Sequence, residues 1–374
     1  MNIVIAAGGT GGHLFPGLAV GEVLISRGHQ VMLIISQKEI DSLATQGRTE
    51  FRIEQMPGVG LQSKSPIAAV KFVSKFFSGL NHAKALYRDF QPQAVLGMGG
   101  FTCTAPILAG RSRKIPTFVH ESNAIPGKSN KLNARLVTRV LLGFEECAQY
   151  FPAGKSTVTG TPIRTSLVTR LDKTQALAAF GLAPGLQTLL VMGGSQGAHG
   201  INQALINALP QLAGQPLQII HLTGRQDEEI MRESYARAGV KAYVAAFSHQ
   251  MQEAYSAADF TIARSGAASL TELSHFALPG ILIPYPYAAE DHQTFNAKIF
   301  ERAGAATLLQ ERETSGETLA KKLLWFLDDP ARFSDMSARS ASLAPKQAAE
   351  RVADTVLRSA EEIRNSNSEI RNKS

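Results

Sequence analysis

Several stretches of this chain pair glycine or small residues with a histidine, carboxylate or amide, which is the composition of a ligand loop. The run Gly8-Gly9-Thr10-Gly11-Gly12-His13 is the first of them. Glycines let the backbone turn sharply and approach a ligand, and a helix start behind them offers unpaired N–H groups and a dipole that favour a phosphate. The same dipole disfavours a charged imidazole, so His13 is a candidate proton acceptor; a histidine bonded to a neighbouring loop fits the position equally well. In His120-Glu121-Ser122-Asn123 a carboxylate and an amide could meet a polar ligand or could cap a loop. Ser265-Gly266-Ala267-Ala268-Ser269-Leu270-Thr271-Glu272 combines small residues that admit a phosphate or ribose with an acid able to accept from vicinal hydroxyls. An ordinary helix start with a favourable acid is the alternative there. Asp291-His292-Gln293-Thr294-Phe295-Asn296 follows the rigid Pro284-Tyr285-Pro286 and is rich in groups that bind sugar hydroxyls, although a solvated loop would read the same.

No metal or cofactor is expected. His13 and His292 lack the company of a ligand cluster, and no Asp-x-Asp pair is present to hold a divalent ion against a diphosphate. Neutralisation of an anionic ligand then falls to backbone amides, helix ends and Arg164. Neither glycine loop fits the dinucleotide fingerprint, and no Walker sequence occurs, which disfavours hydride transfer and ATP hydrolysis.

The elements that must position these residues repeat. Gly193-Gly194-Ser195-Gln196-Gly197 follows Leu189-Leu190-Val191-Met192 just as the first loop follows Ile3-Val4-Ile5-Ala6. Short uncharged apolar runs are expected of parallel strands covered on both faces. The pattern predicts strands at Ile3–Ala6, Val31–Ser36, Ala94–Met98 and Thr117–His120, with a helix from about Phe15 to Arg27. In the second half it predicts strands at Thr188–Met192, Ile219–Leu222, Ala242–Ala246, Phe260–Ala263 and Ile281–Pro284. Alternating strands and helices give an α/β fold of two Rossmann-like domains whose parallel sheets face a cleft, with ligands at the carboxyl ends of strands. The expected domains are 1–163 and 164–344, with a polar helical stretch after Arg164. A C-terminal helix over about 345–363 is expected to pack back on the first domain, and 364–374 to fray.

At 374 residues and 44% apolar content, the chain suits two folded domains rather than disorder. The start of the sequence has no secretory pattern and no apolar run is long enough to span a bilayer, so a cytosolic protein is expected, with Cys103 and Cys147 as reduced core thiols. Lys and Arg exceed Asp and Glu by 38 to 31. From Leu61 to Arg88 there are five basic and no acidic residues, and Ile67, Val70, Val73, Phe76, Phe77 and Leu80 recur at helical spacing. Such a helix either lies in an anionic membrane surface or packs its stripe into the core. Aromatic and basic residues do not interleave in any nucleic-acid motif, so no nucleic acid is expected.

The two glycine loops, Gly97-Met98-Gly99-Gly100-Phe101, His120 to Asn123, Gly160-Thr161-Pro162-Ile163-Arg164, Arg264-Ser265-Gly266-Ala267 with Glu272, and Gln293-x-x-Asn296-Ala297 are seven motifs that carry a resemblance. The chain resembles the family of peptidoglycan glycosyltransferases that add N-acetylglucosamine to lipid I to make lipid II. The resemblance covers nearly the whole length and implies a B-type glycosyltransferase fold (GT-B) and inverting transfer from UDP-N-acetylglucosamine without a metal, the lipid acceptor meeting the first domain and the donor the second. It implies that Thr10, Gly11 and Gly12 approach the donor, Asn123 and Gln293 contact its sugar, and Arg164 and Ser195 serve the diphosphate. Ser248 then lies by the uracil, Ala267, Ala268, Ser269, Leu270 and Thr271 surround phosphate and ribose, and Glu272 holds ribose hydroxyls. His13 is the favoured base and Glu121 its competitor. It further implies peripheral attachment at the cytoplasmic face of the inner membrane through about 61–88. His292 and Ser248 depart from the residues common in the family. Competing readings are another enzyme using UDP-N-acetylglucosamine on this scaffold, an epimerase or glycolipid synthase, and a non-catalytic nucleotide-sugar sensor.

Overall fold

The computed structural model describes residues 1–56, 66–194 and 197–372. The chain folds as two compact units, Met1–Thr165 with the segment from Pro345 onward, and Ser166–Ala344.

The first unit runs β1 (Asn2–Ala6), α1 (Gly11–Ser26), β2 (Gln30–Ser36), α2 (Glu39–Thr45), β3 (Arg52–Met56), α3 (Pro66–Phe90), β4 (Ala94–Gly97), α4 (Thr104–Ser112), β5 (Thr117–Glu121), α5 (Lys128–Ala134), β6 (Arg139–Leu142) and β7 (Ser156–Val158). The second runs α6 (Lys173–Ala178), β8 (Gln187–Met192), α7 (His199–Leu212), β9 (Leu217–Leu222), α8 (Glu228–Ala238), β10 (Lys241–Ala245), α9 (Met251–Ala257), β11 (Phe260–Ala263), α10 (Ala267–His275), β12 (Gly280–Leu282), α11 (His292–Arg302), β13 (Ala306–Leu308), α12 (Gly316–Leu327) and α13 (Pro330–Ser342). Finally α14 (Ala348–Asn372) returns to the first unit.

Each unit is a wholly parallel sheet, ordered β3-β2-β1-β4-β5-β6-β7 in the first and β10-β9-β8-β11-β12-β13 in the second. In both, the order reverses beside the strand that precedes a glycine-rich loop, β1 or β8, where parallel sheets leave a crevice for ligands. Both faces are covered, so the central strands are uniformly apolar: Ile3, Val4 and Ile5 are fully buried, as are Leu189 and Leu190. In the first unit Val352, Ala353, Val356 and Ala360 of α14 join the cluster formed by Leu14, Leu18 and Leu24 of α1 with β1 and β2.

Several element bounds differ from the sequence expectation. Helix α1 starts at Gly11 and not near Phe15, which takes Gly12 and His13 into its first turn. The polar stretch after Arg164 forms a three-residue turn and the short α6. Where fraying was expected from Arg364, α14 continues to Asn372; once its packed half is nucleated, each added residue contributes a hydrogen bond without a new nucleation cost. The Asp291–Asn296 stretch is no loop, since all but Asp291 belong to α11.

Beneath the second glycine loop lies a chain of buried polar groups. Tyr235 donates to His221 Nδ1 at 2.8 Å, and His221 Nε2 to Asn202 Oδ1 at 3.0 Å. Asn202 in turn donates to Asp227 and to the carbonyl of Thr223. Burial lowers the His221 pKa from 6.5 to about 3, which keeps the ring neutral, and the Asn202 Oδ1 acceptor places its single proton on Nε2. Between those two values the folded protein binds fewer protons than the unfolded chain, so its stability falls as pH drops through that window. We expect His221→Gln to flatten the acid limb of a denaturation profile measured between pH 7 and 4, with His120 supplying part of what remains; an unaltered slope would show that His221 is not the group responsible.

Candidate active site

In the first unit the site residues gather where β1, β4 and β5 end. Thr10 is the N-terminal residue outside α1, and its Oγ1 lies 3.2 Å from His13 Nδ1. The imidazole lies over the turn Gly99–Gly100, so close that a Cβ on Gly99, already at φ +106°, would stand 3.0 Å from His13 Nε2. Glycine there is what leaves room for the ring. Lys38 donates to the Gly9 carbonyl at 2.6 Å, and the fully buried Asp41 accepts from Gly9 N–H at 2.7 Å as well as from Ser36. The loop is thus held from below by two α2-side residues that no sequence signal marks.

Glu121 is the last residue of β5 and only 3% exposed. Its Oε1 accepts from the Asn123 N–H and side-chain amide at 2.9 and 3.0 Å, and its Oε2 from Gly127 N–H and Asn130 Nδ2 at 3.0 and 2.8 Å. Four donors on two oxygens hold the 123–130 segment in place. Asn130, which sequence reasoning missed, borders Gly99 together with His13 and so links the two groups. His120 is buried with its pKa lowered by desolvation; neutral, it donates from Nε2 to the Gly160 carbonyl at 3.0 Å and serves the scaffold. The Arg164 guanidinium lies over the Phe15 ring, 4.7 Å from its centre, in the same unit.

In the second unit the residues gather where β8, β11 and β12 end. Ser195 and Gln196 lie outside the described residues. Around them Gly194 and Gly197 have φ of +88° and +76°, and a Cβ on Gly197 would stand 2.2 Å from the Thr223 carbonyl, so this loop is pressed onto the chain leaving β9. Gly266 precedes the first turn of α10 without a side-chain cap, leaving the amides of Ala267, Ala268 and Ser269 without an intrahelical partner. Ala267, Leu270 and Thr271 are buried, and the Thr271 hydroxyl donates to the Ala267 carbonyl. Glu272 is 8% exposed; its Oε2 accepts from the Tyr255 hydroxyl at 2.7 Å, another partner with no sequence signal. Ser248 is buried, and its hydroxyl caps the Gln250 N–H at 3.0 Å.

Gln293, in the first turn of α11, is oriented by the backbone. Its Oε1 accepts from Ser265 N–H at 3.2 Å and from Tyr285 N–H at 2.9 Å, which turns the NH₂ group away from these two donors. Asn296 donates to the Ser265 carbonyl and the Ser265 hydroxyl to the Gln293 carbonyl, so the exits of β11 and β12 and the start of α11 form one bonded unit. Arg264 braces it, donating to the carbonyls of Ile283 and Pro284 and pairing with Glu311. Among the described residues no group of three or more His, Cys, Asp or Glu could hold a metal, and no helix is long and apolar enough to cross a membrane.

In α3 the two readings of the basic stripe divide along the helix. Ala83, Leu86, Tyr87 and Phe90 are buried, whereas Val73 and Phe77 are 49% and 57% exposed beside Lys71 and Lys75. Phe72 packs edge-on against the exposed Phe101. Residues 61–65 of the expected segment, and the side chains of 66–70, lie outside the described residues.

Residues 3–142 match the glycosyltransferase family 28 N-terminal domain and residues 188–352 its C-terminal domain. The UDP-N-acetylglucosamine–N-acetylmuramyl-(pentapeptide) pyrophosphoryl-undecaprenol N-acetylglucosamine transferase of Geotalea uraniireducens is 37% identical over 348 residues, 92% of this chain and 94% of that one. The enzyme of the same name from Geobacter metallireducens is 38% identical over 354 residues, again 92% and 94% of the two chains. The crystal structure of Acinetobacter baumannii MurG matches with a TM-score of 0.75 at 28% identity, covering 96% of this chain and 99% of that one. A UDP-GlcNAc 2-epimerase from Neisseria meningitidis shares the fold, with a TM-score of 0.67 at 14% identity over 96% and 100% of the chains. With its paired Rossmann-like units and this identity along nearly its full length, the chain belongs to the MurG family of UDP-N-acetylglucosamine–N-acetylmuramyl-(pentapeptide) pyrophosphoryl-undecaprenol N-acetylglucosamine transferases.

Proposed function

We propose that this protein transfers N-acetylglucosamine from UDP-N-acetylglucosamine to the 4-hydroxyl of the N-acetylmuramoyl sugar of lipid I, with inversion, giving lipid II. The observation that carries the reading is the set of groups in the second unit: an acid for vicinal hydroxyls, Glu272, and an amide donor, Gln293, on either side of the uncapped start of α10. Ribose, diphosphate and sugar call for those three chemistries, and family membership supplies the acceptor. In this reading Ala267 to Thr271 surround phosphate and ribose, the Ser248 backbone meets the uracil, and Arg164 and Ser195 serve the diphosphate. From the first unit, Thr10, Gly11 and Gly12 are assigned to the donor and Asn123 to its sugar, and from the second Gln293 is assigned to the sugar.

His13 is the base. The acceptor's hydroxyl attacks the anomeric carbon, His13 takes its proton, and the bond from that carbon to the diphosphate oxygen breaks, releasing UDP from the opposite face. Charge growing on UDP is met by helix amides and Arg164, an electrostatic stabilisation of the leaving group. Glu121 suits a different task, since all four of its hydrogen bonds bring donors to the carboxylate; it fixes Asn123 and Asn130 and leaves proton removal to His13. The exposed Val73, Phe77 and Phe101 with Lys71 and Lys75 form an apolar and cationic surface for the anionic cytoplasmic face of the inner membrane, where a lipid-linked acceptor resides.

His13→Ala should lower kcat for conversion of lipid I to lipid II by about 10²- to 10⁴-fold while leaving the Kd for UDP-N-acetylglucosamine within a few-fold. Full turnover in that variant removes His13 as base, and failure of the wild-type protein to form lipid II removes the reading itself. Glu272→Ala should weaken UDP binding by about tenfold or more, the loss of a charged hydrogen-bond acceptor costing about 1.5–3 kcal/mol. Calorimetry that gives wild-type UDP affinity for this variant sets the ribose role aside.

A further inference from the structure

Two tyrosines at the exit of β12 take no part in the chemistry above and stand exposed. Tyr287 is 83% exposed and Tyr285 is 44% exposed, the rings packed edge to face with centres 5.6 Å apart. They stand in Pro284-Tyr285-Pro286-Tyr287, where each proline fixes a backbone angle, so presenting the rings costs little conformational entropy. Arg264, 9% exposed, holds Tyr285 from beneath with its guanidinium 5.6 Å from the ring centre. The backbone N–H of Tyr285 is also one of the two donors that orient Gln293.

A ligand held by the Gln293 NH₂ group therefore has aromatic surface within the same few residues. A pyranose has this double character: hydroxyls around its edge that accept hydrogen bonds, and a face of C–H groups that packs on an aromatic ring. Neither the uracil nor the diphosphate needs it, because those ends are assigned to Ser248 and to α10. Between the tyrosines and Gln293 the chain turns through Glu290 and Asp291 at φ +54° and +53°, conformations that non-glycine residues adopt at a cost, and His292 Nδ1 bonds the Ala289 carbonyl at 2.6 Å across the same turn.

We infer that Tyr285 and Tyr287 form a stacking platform for the pyranose of the sugar nucleotide, so that the aromatic pair provides affinity for the sugar and none for the nucleotide. This rests on the donor assignment of the second unit. A platform of this kind separates UDP from UDP-N-acetylglucosamine, whereas a merely structural role would alter both affinities together.

Calorimetric titration of the full chain with UDP and with UDP-N-acetylglucosamine tests it, using Tyr287→Ala, Tyr285→Leu and the conservative Tyr287→Phe. The expected result is a loss of about tenfold in affinity for UDP-N-acetylglucosamine in Tyr287→Ala and Tyr285→Leu, with UDP affinity held within about twofold and Tyr287→Phe close to wild type. Equal losses for both ligands, or no loss for the sugar nucleotide, overturns the platform while leaving the donor site intact. A wild-type protein that binds neither ligand overturns the donor assignment as well. Tyr287 is so exposed that its alanine variant should melt with the wild type, and the comparison of two ligands on one variant discounts any partial unfolding.

Discussion

A carboxylate taken out of water must be met by donors, and that requirement shapes the loops of both units. Asp41, Glu121 and Asp227 are all buried below 7% exposure, and each draws donors from the segment it supports. Asp41 takes the Gly9 amide, Glu121 the amides of Asn123 and Gly127, and Asp227 the His199 ring together with Asn202. An unpaired charge at such depth would cost several kcal/mol, so the loop conformations that deliver donors are strongly preferred over others. The strands end, the glycines turn, and the buried acids decide where the turns come to rest.

That constraint also marks which polar groups serve the scaffold. A carboxylate already accepting four hydrogen bonds has little capacity to take up a proton from a substrate, whereas the His13 ring lies over a glycine pair with its Nδ1 beside the Thr10 hydroxyl. The second unit uses the same logic with the backbone as donor: the Ser265 and Tyr285 amides hold the Gln293 oxygen and so fix the orientation of its side-chain amide. Arg264 reaches that assembly from the strand side through two carbonyls and Glu311, tying β11, β12 and the segment after β13 together.

Much of the fold is legible in the residues themselves, for a physical reason. Central parallel strands are covered on both faces, so Ile3–Ala6 and Leu189–Met192 read as uncharged runs, and the glycines after them mark where each chain must turn. The strands that the pattern leaves unmarked are β3, β6, β7 and β13. Of these β3, β7 and β13 lie at sheet edges, where one side is unpaired and residues such as Arg52, Glu54 and Ser156 are tolerated, so the apolar signal fades. Helix α11 reads as a loop because Asp291 to Asn296 is polar on the side that carries the sugar-type residues; its apolar anchors, Ile299 and Phe300, come only afterwards.

By itself the sequence determined the element grammar, the two glycine loops and the family motifs, because these depend on local rules: strand period, turn residues and small side chains near a ligand. Tertiary structure alone decided that the His13 ring lies over the Gly99–Gly100 turn, which end of Gln293 the backbone holds, that Glu121 is filled, and that half of α3 is core while the other half shows phenylalanine to solvent. Those outcomes depend on partners far away along the chain, such as Asp41 for Gly9 and Tyr255 for Glu272, and a hydrogen bond between distant residues leaves no periodicity to read.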